Sequence, residues 1–323
     1  MQTDLINSEI ARALVEQQCN TWDTARTNFE AISQVKTREV GLTNYIEQPA
    51  RLQFNPARIL SSAAKIDTLS LAERPCFLCA NNRPKAQRCV PFMNDYEILV
   101  NPYPIFPYHL TIPAIHHQPQ RIERRLGIML QLAQQLNEFV IFYNGPKCGA
   151  SAPDHAHFQA GNQGILPIEQ EPFFEKKGEL PPIISEYQEA TLRSFSQYSR
   201  PFFEIRATKE TGIIYLFSIL YNALEIETGK AEEEPMMNLL VWHKKSEWIV
   251  LLFPRTKHRP NCYEAIGEDN ISLSPGCVDM GGLFAISQKK DFDKITASDL
   301  ESILGEICYS PEKMHAVTTH LKS

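Results

Sequence analysis

The sequence predicts an α+β protein, and three observations carry that prediction. Apolar positions recur at helical spacing from Gln120 to Phe139, where Ile122, Leu126, Met129, Leu132 and Leu136 share one face. Short strand-like runs such as Tyr96 to Val100, His109 to Pro113 and Val140-Ile141-Phe142-Tyr143 lie on either side of that helix. Beyond residue 200 the order strand, helix, strand pair comes back, although no sequence repeat is readable.

The elements follow in order. From Asp4 to Ser33 the positions Leu5, Ile6, Ile10, Leu14, Val15 and Trp22 form one helix-like stripe. Arg38 to Leu60 is strand-like and is cut by Pro49 and Pro56. After the strand at Val140 comes a stretch of small residues, Gly145-Pro146-Lys147-Cys148-Gly149-Ala150-Ser151-Ala152-Pro153, and then a further strand with two histidines. Glu169 to Pro182, rich in Pro, Glu and Lys, is a connector. A strand at Pro201 to Thr208, a helix at Thr211 to Leu224, a hairpin at Met236 to His243 and Glu247 to Phe253, and a last helix at Ala297 to Cys308 complete the chain. Gly229-Lys230-Ala231-Glu232-Glu233-Glu234 is expected to be a solvated acidic loop.

Composition narrows the function classes. A formal net charge of −6 disfavours a general nucleic-acid binder, which would present a basic face, yet leaves room for a nucleotide pocket with a few local cations. There is no run of about 18 apolar residues, so no membrane partner is expected. Acids occupy the first residues where a secretory signal would be positive, and the eight unevenly spaced cysteines suggest reduced thiols. Together these features predict a cytoplasmic protein.

Two motifs carry chemistry. In His155-Ala156-His157-Phe158-Gln159, residues at i, i+2 and i+4 of an extended segment share one face. One histidine can anchor a metal or hydrogen bonds while the next meets a substrate, and the glutamine amide can donate to a phosphoryl oxygen. Upstream, Cys76-Phe77-Leu78-Cys79 is a Cys-x-x-Cys knuckle able to bring two thiolates to one zinc ion. The other cysteines stand singly, so His116 or His117 together with His155 would complete a Cys2His2 set. A redox pair would instead need a thioredoxin-like βαβ setting, which is not evident.

Taken in order, Cys76-Phe77-Leu78-Cys79-Ala80-x-Asn82, Asn101, His109-Leu110-Thr111-Ile112-Pro113, His116, Asn144-Gly145 and Gly149-x-Ser151-x-x-x-His155-x-His157-x-Gln159 resemble the galactose-1-phosphate uridylyltransferases. These form a branch of the histidine-triad (HIT) superfamily, with diadenosine tetraphosphate phosphorylases and GDP-L-galactose phosphorylases as relatives. The resemblance is best over roughly residues 50 to 165. It implies HIT-like antiparallel sheets flanked by helices, in two HIT-like halves, 1–168 with the zinc knuckle and 169–323. It implies a structural zinc on Cys76, Cys79, His155 and His116, with His117 the fallback. It assigns His157 as nucleophile and Gln159 as its phosphate-binding partner, with Asn101, Asn144, Gly149 and Ser151 contacting substrate. Ala156 stands where uridylyltransferases usually have proline, and the bulky Phe158 is closer to the phosphorylase branch.

The expected activity is nucleotidyl transfer from a nucleotide sugar to phosphate or a sugar 1-phosphate, through a covalent nucleotidyl-histidine. A dinucleoside polyphosphate is the alternative donor, and a non-catalytic nucleotide-binding protein the alternative class. A homodimer is carried over from the family. Arg255, in the loop Phe253-Pro254-Arg255-Thr256-Lys257-His258-Arg259, is expected to grip a substrate phosphate, with Arg58 and Lys65 as weaker basic contributors. Asn82 to Gln87 is expected either near the base or ribose or as a solvated turn, and Asp279-Met280-Gly281-Gly282 as a structural turn, with close approach to a ligand the alternative.

Overall fold

In the computed structural model, which describes residues 6–44, 48–59, 68–170, 180–230 and 233–321, the first helical stripe divides in two. Helix α1 (Ser8–Thr21) begins where the Asn7 side chain accepts the Ile10 N–H, and it stops at Trp22, whose φ of −133° is extended. Helix α2 (Asp23–Ile32) follows at once. The break lets Leu14 and Val15 of α1 and Ala25 and Phe29 of α2 enter the same apolar core with Trp22 between them. Strands β1 (Lys36–Leu42) and β2 (Gln48–Phe54) pair antiparallel. Lys65 and the start of the predicted first helix, Asp4 and Leu5, lie outside the described residues.

The main sheet is built from β3 (Cys89–Phe92), β4 (Tyr96–Val100), β5 (His109–Pro113), helix α3 (Leu126–Gln135), β6 (Phe139–Asn144) and β7 (His157–Asn162), followed by β8 (Ile183–Tyr187), β9 (Ala190–Phe195), β10 (Phe202–Ala207), helix α4 (Glu210–Thr228), β11 (Met237–Lys244) and β12 (Glu247–Pro254). Its ten strands run β3-β4-β5-β7-β6-β11-β12-β10-β9-β8. Counted inward from either edge, the order is the same: three strands in sequence, then a pair in exchanged order with a helix inserted before it. The equivalent strands β6 and β11 meet antiparallel at the centre, with Asn144 opposite Asn238 and Ile141 opposite Val241. The boundary predicted at 168/169 falls between the two five-strand repeats, yet one sheet runs across it.

Side-chain alternation explains the layers. Phe139, Ile141 and Tyr143 of β6 join a core with α1, α3 and α4, whereas Val140 and Phe142 point into a second core on the opposite face. That second face is covered by the C-terminal part of the chain: helix α5 (Cys277–Met280), strand β13 (Leu283–Ile286), and helix α6 (Ala297–Ile307), with helix α7 (Pro311–His320) reaching the first core. β13 adds parallel to β2, so the chain's two ends share one small sheet. Short helices at Thr68–Glu73, Pro167–Gln170 and Lys289–Lys294 occupy connections.

Strands Tyr96–Val100 and His109–Pro113 fall where the sequence pattern places them. The helix expected over Gln120 to Phe139 is confined to Leu126–Gln135, because Gln120 is engaged elsewhere and Arg125 already has a non-helical ψ of 0°. Most of the predicted connector, residues 171–179, and Ala231 and Glu232 of the acidic loop lie outside the described residues. The hairpin β8–β9 lies beyond that connector and carries no strong alternation signal. Among the described residues no helix is long and apolar enough to cross a membrane.

Candidate active site and metal centre

β7 starts at His157, and one long-range side chain fixes that start. The His157 N–H donates to Gln120 Oε1 (2.8 Å), while Gln120 Nε2 donates to the carbonyls of His157 and Asn144 (3.0 Å each). His155 is therefore not on the strand with His157, as alternation alone predicts, but in the turn before it. The displacement has a chemical result. His157 Nδ1 lies 2.8 Å from the His155 carbonyl, which can only accept, so Nδ1 carries the proton and Nε2 keeps its lone pair. Burial pushes the His157 pKa down to about 4, leaving the ring neutral at pH 7.

The orientation of Gln159 is set by logic of the same kind. His109 Nδ1 accepts the Ile105 N–H (3.1 Å), so the proton sits on Nε2, which donates to Gln159 Oε1 (3.1 Å). Asn101 Nδ2 donates to the same oxygen (3.2 Å) and to Thr111 Oγ1 (3.0 Å), and Asn101 Oδ1 accepts the Tyr103 N–H (2.9 Å). With its carbonyl end held by two donors, Gln159 turns its amide N–H₂ the other way. Asn101, expected to touch substrate, spends both its amide N–H groups and an oxygen lone pair on these bonds. Burial, with help from the Arg58 charge, lowers the His109 pKa to about 3, which keeps this tautomer neutral. His109, part of the His109–Pro113 motif, stands on β5 two residues from Thr111, the cross-strand partner of Gln159.

A cavity of about 670 Å³ lies between the β4–β7 part of the sheet and the C-terminal segment 258–285. His157, Gln159, Asn101, Asn144, Gly149, Ser151 and Arg58 all contribute to its wall. Asn144 Oδ1 accepts from Asn238 Nδ2 (2.9 Å) and the Cys277 N–H (2.7 Å). Gly149 adopts φ +94°, and a Cβ there would stand 2.8 Å from Gly276 Cα, so the small-residue loop can pack on the 276 turn only as glycine. Arg58 donates to the Tyr103 carbonyl (2.8 Å), and burial lowers its pKa to about 10, still cationic at pH 7. Arg74, Asp279 of the predicted turn, and Arg259 and His258 of the basic loop also face the cavity. A more open groove of about 760 Å³, with Val15, Phe29, Ile32 and Leu283 in its wall, holds none of the predicted site residues.

Arg255 is the main correction. It is buried, with 1% of its surface exposed, and does not line the cavity. Nε donates to the Ile307 carbonyl, Nη1 to Asn238 Oδ1 (2.7 Å) and the Pro275 carbonyl, and Nη2 to the carbonyls of Lys257 and His258. All five guanidinium N–H groups are thereby used, and none remains for a phosphate. Arg255 supports Asn144 through Asn238 instead. Arg255→Met should lower unfolding stability by about 3 kcal/mol or more, since it orphans several buried acceptors. Urea denaturation checks this; a change within about 0.5 kcal/mol would contradict the structural role.

The Cys-x-x-Cys knuckle is also assembled. Ligand atoms of Cys76, Cys79, His117 and His155 all lie within 4.8 Å of one another. Cys76 Sγ is 3.2 Å from His155 Nδ1, and Cys79 Sγ is 3.3 Å from His117 Nδ1 and 3.5 Å from His155 Nδ1. A tetrahedral ion with bonds of about 2.3 Å to sulfur and about 2.0 Å to nitrogen needs S···N separations of roughly 3.6 Å, so this donor set fits one. Both imidazoles are oriented from behind: His155 Nε2 donates to the Ala114 carbonyl (2.7 Å), and His117 Nε2 lies 3.6 Å from Asp154 Oδ2. His116, the preferred fourth ligand on the family pattern, is exposed and outside the cluster. The chain bends at 115–116, just after β5, and of the two histidines it brings His117 to the knuckle.

A family model described as a domain of unknown function (DUF4922) matches residues 14–162. No curated protein matches the sequence. Among solved structures, yeast Ap4A phosphorylase Apa2 superposes with a TM-score of 0.59 at 15% identity, over 92% of this chain and 97% of that one. Its complexes with AMP and with Ap4A give 0.56 and 0.51, again at 15% identity, over 92% and 90% of this chain and 97% of each of those. With its ten-stranded antiparallel sheet and flanking helices, the chain has the HIT-like fold of this neighbour, the yeast Ap4A phosphorylase.

Proposed function

We propose that this chain is a nucleotidyltransferase or phosphorylase that works through a covalent nucleotidyl-histidine on His157. The observation that carries this is the pairing of His157 Nδ1 with the His155 carbonyl, which leaves a neutral, unprotonated Nε2 on a cavity wall beside the oriented Gln159 amide. Nε2 attacks the α-phosphorus of a nucleotide donor, the bond from phosphorus to the bridging oxygen breaks, and a sugar 1-phosphate or nucleoside polyphosphate leaves. The ring then carries phosphorus on Nε2 and its proton on Nδ1, a cation that the His155 carbonyl stabilises. Gln159, Ser151 and the Gly149–Ser151 backbone bind the nonbridging oxygens. A second phosphate takes the nucleotide and frees the ring.

A zinc ion on Cys76, Cys79, His117 and His155 would be structural, since four protein ligands leave no open position. Its link to the chemistry runs through the chain: His155 supplies a ligand nitrogen and the carbonyl that orients His157.

The favoured donor is a nucleotide sugar. A dinucleoside polyphosphate is the second reading, supported by Arg58, Arg74 and Arg259 on the cavity wall and by the likeness to a phosphorylase solved with AMP and with Ap4A. Intact-protein mass spectrometry after incubation with UDP-, GDP- and ADP-sugars and with diadenosine tetraphosphate, without acceptor, tests both. A UMP, GMP or AMP adduct on His157 is expected; no adduct from any donor overturns the reading. His109→Ala should slow adduct formation about 10- to 100-fold by releasing the Gln159 amide, while His109→Gln, which retains a donor, recovers part of the rate. Stopped-time labelling reads this difference; equal rates in wild type and His109→Ala would dismiss the positioning role.

A further inference from the structure

The turn at Asp279 does more than reverse the chain. Asp279 Oδ2 accepts the Gly276 N–H (2.8 Å) and so closes the short helix α5 on itself. The same turn borders the cavity that holds His157, because Gly276 packs against Gly149 and against Asn144 Oδ1. Asp279 is 9% exposed and belongs to the cavity wall, yet its second oxygen, Oδ1, is shielded from water and has no hydrogen-bond partner among the described residues. A buried carboxylate oxygen without a donor is costly, and native structures seldom leave one unsatisfied without a functional reason.

The chemistry of the missing donor can be narrowed. A phosphate would be repelled by the carboxylate, and the cavity already offers Arg58, Arg74 and Arg259 for phosphates. A base edge could donate too, but Gly276 packs this turn against the Gly149 loop, beside the proposed α-phosphate site, where the nearer donors are hydroxyls: those of the ribose esterified to the α-phosphate and, beyond the β-phosphate, those of the sugar in a nucleotide-sugar donor. Burial raises the Asp279 pKa to about 6, with the nearby Arg58 and Arg255 charges opposing the shift, so the group is still mainly an acceptor at pH 7.

We infer that Asp279 is a specificity residue of the cavity, whose free Oδ1 accepts a hydrogen bond from a sugar hydroxyl of the bound nucleotide. The hydroxyl belongs either to the ribose of the transferred nucleotide or to the sugar of the leaving group. The inference rests on the nucleotidyl-transfer reading above.

The test is equilibrium binding to the full chain, wild type and Asp279→Ala, of AMP, GMP and UMP, of their 2′-deoxy and 3′-deoxy forms, and of glucose 1-phosphate and 2-deoxyglucose 1-phosphate. Wild type should prefer the hydroxyl-bearing member of one pair by about 10- to 100-fold, and Asp279→Ala should bind both members of that pair alike. A nucleotide pair that behaves so identifies the ribose, and the sugar phosphate pair identifies the leaving group. Asp279→Asn, which keeps an acceptor for the Gly276 N–H, should fold with the wild-type melting temperature and retain only part of the preference. If nucleotides bind and His157 is labelled but the preference survives in Asp279→Ala, or is absent from wild type, this inference fails alone. If no mononucleotide binds and no donor labels His157, both readings fail.

Discussion

His157→Gly is expected to abolish the nucleotide adduct with every donor and to lower turnover by about 10³-fold or more, because no second nucleophile replaces a lost covalent one. The other imidazole close to it in sequence, His155, has Nδ1 against Cys76 and Nε2 against the Ala114 carbonyl, so neither nitrogen is available to attack. The fold should survive the substitution. The Gln120 clamp engages the backbone N–H and carbonyl of residue 157, and β7 is held on both edges by β5 and β6. A melting temperature near that of wild type combined with absent labelling would match this account. Wild-type labelling in the variant would move the nucleophile elsewhere.

The second large effect concerns the metal cluster. Cys76→Ser and His117→Ala should each strip most bound zinc from purified protein and cost at least about 3 kcal/mol of stability, whereas His116→Ala should change neither. The contrast between the two histidines is the informative part, since the variants differ by one position and remove the same side chain. Metal loss should also slow labelling at His157, because the turn carrying the His155 carbonyl loses one of its anchors. Elemental analysis and thermal denaturation with and without a chelator measure both effects. Unchanged zinc in Cys76→Ser, or loss of zinc in His116→Ala, would contradict the assignment.

Much of the candidate site was legible in the chain. Cys76 and Cys79, Gly149 and Ser151, and His157 and Gln159 form compact motifs, and local geometry forces their side chains together whatever the rest of the fold does. Strands such as Tyr96–Val100 and His109–Pro113 were legible because their apolar runs are buried in a sheet interior. The twofold order of the main sheet left only an echo in the sequence, since each repeat keeps its element order and not its residues.

What the chain could not disclose are contacts between distant segments. Arg255 in a basic loop is locally indistinguishable from a phosphate ligand, and only the packing of Asn238, Pro275 and Ile307 around it shows that its five N–H groups are spent. The choice of His117 over His116 depends on how the bend after β5 meets a knuckle 38 residues away along the chain. Gln120, His109 and Asp279 acquire their roles from partners at separations that no local pattern spans: 37 residues to His157, 50 to Gln159, and a glycine contact joining the 276 turn to Gly149. Periodicity and motif spacing report what neighbours along the chain must do. Hydrogen-bond saturation, tautomer choice and burial are decided by groups that meet only after folding, so the His-x-His-x-Gln motif and the cysteine knuckle were readable in the sequence, and the residues that orient and support them were decided by tertiary structure.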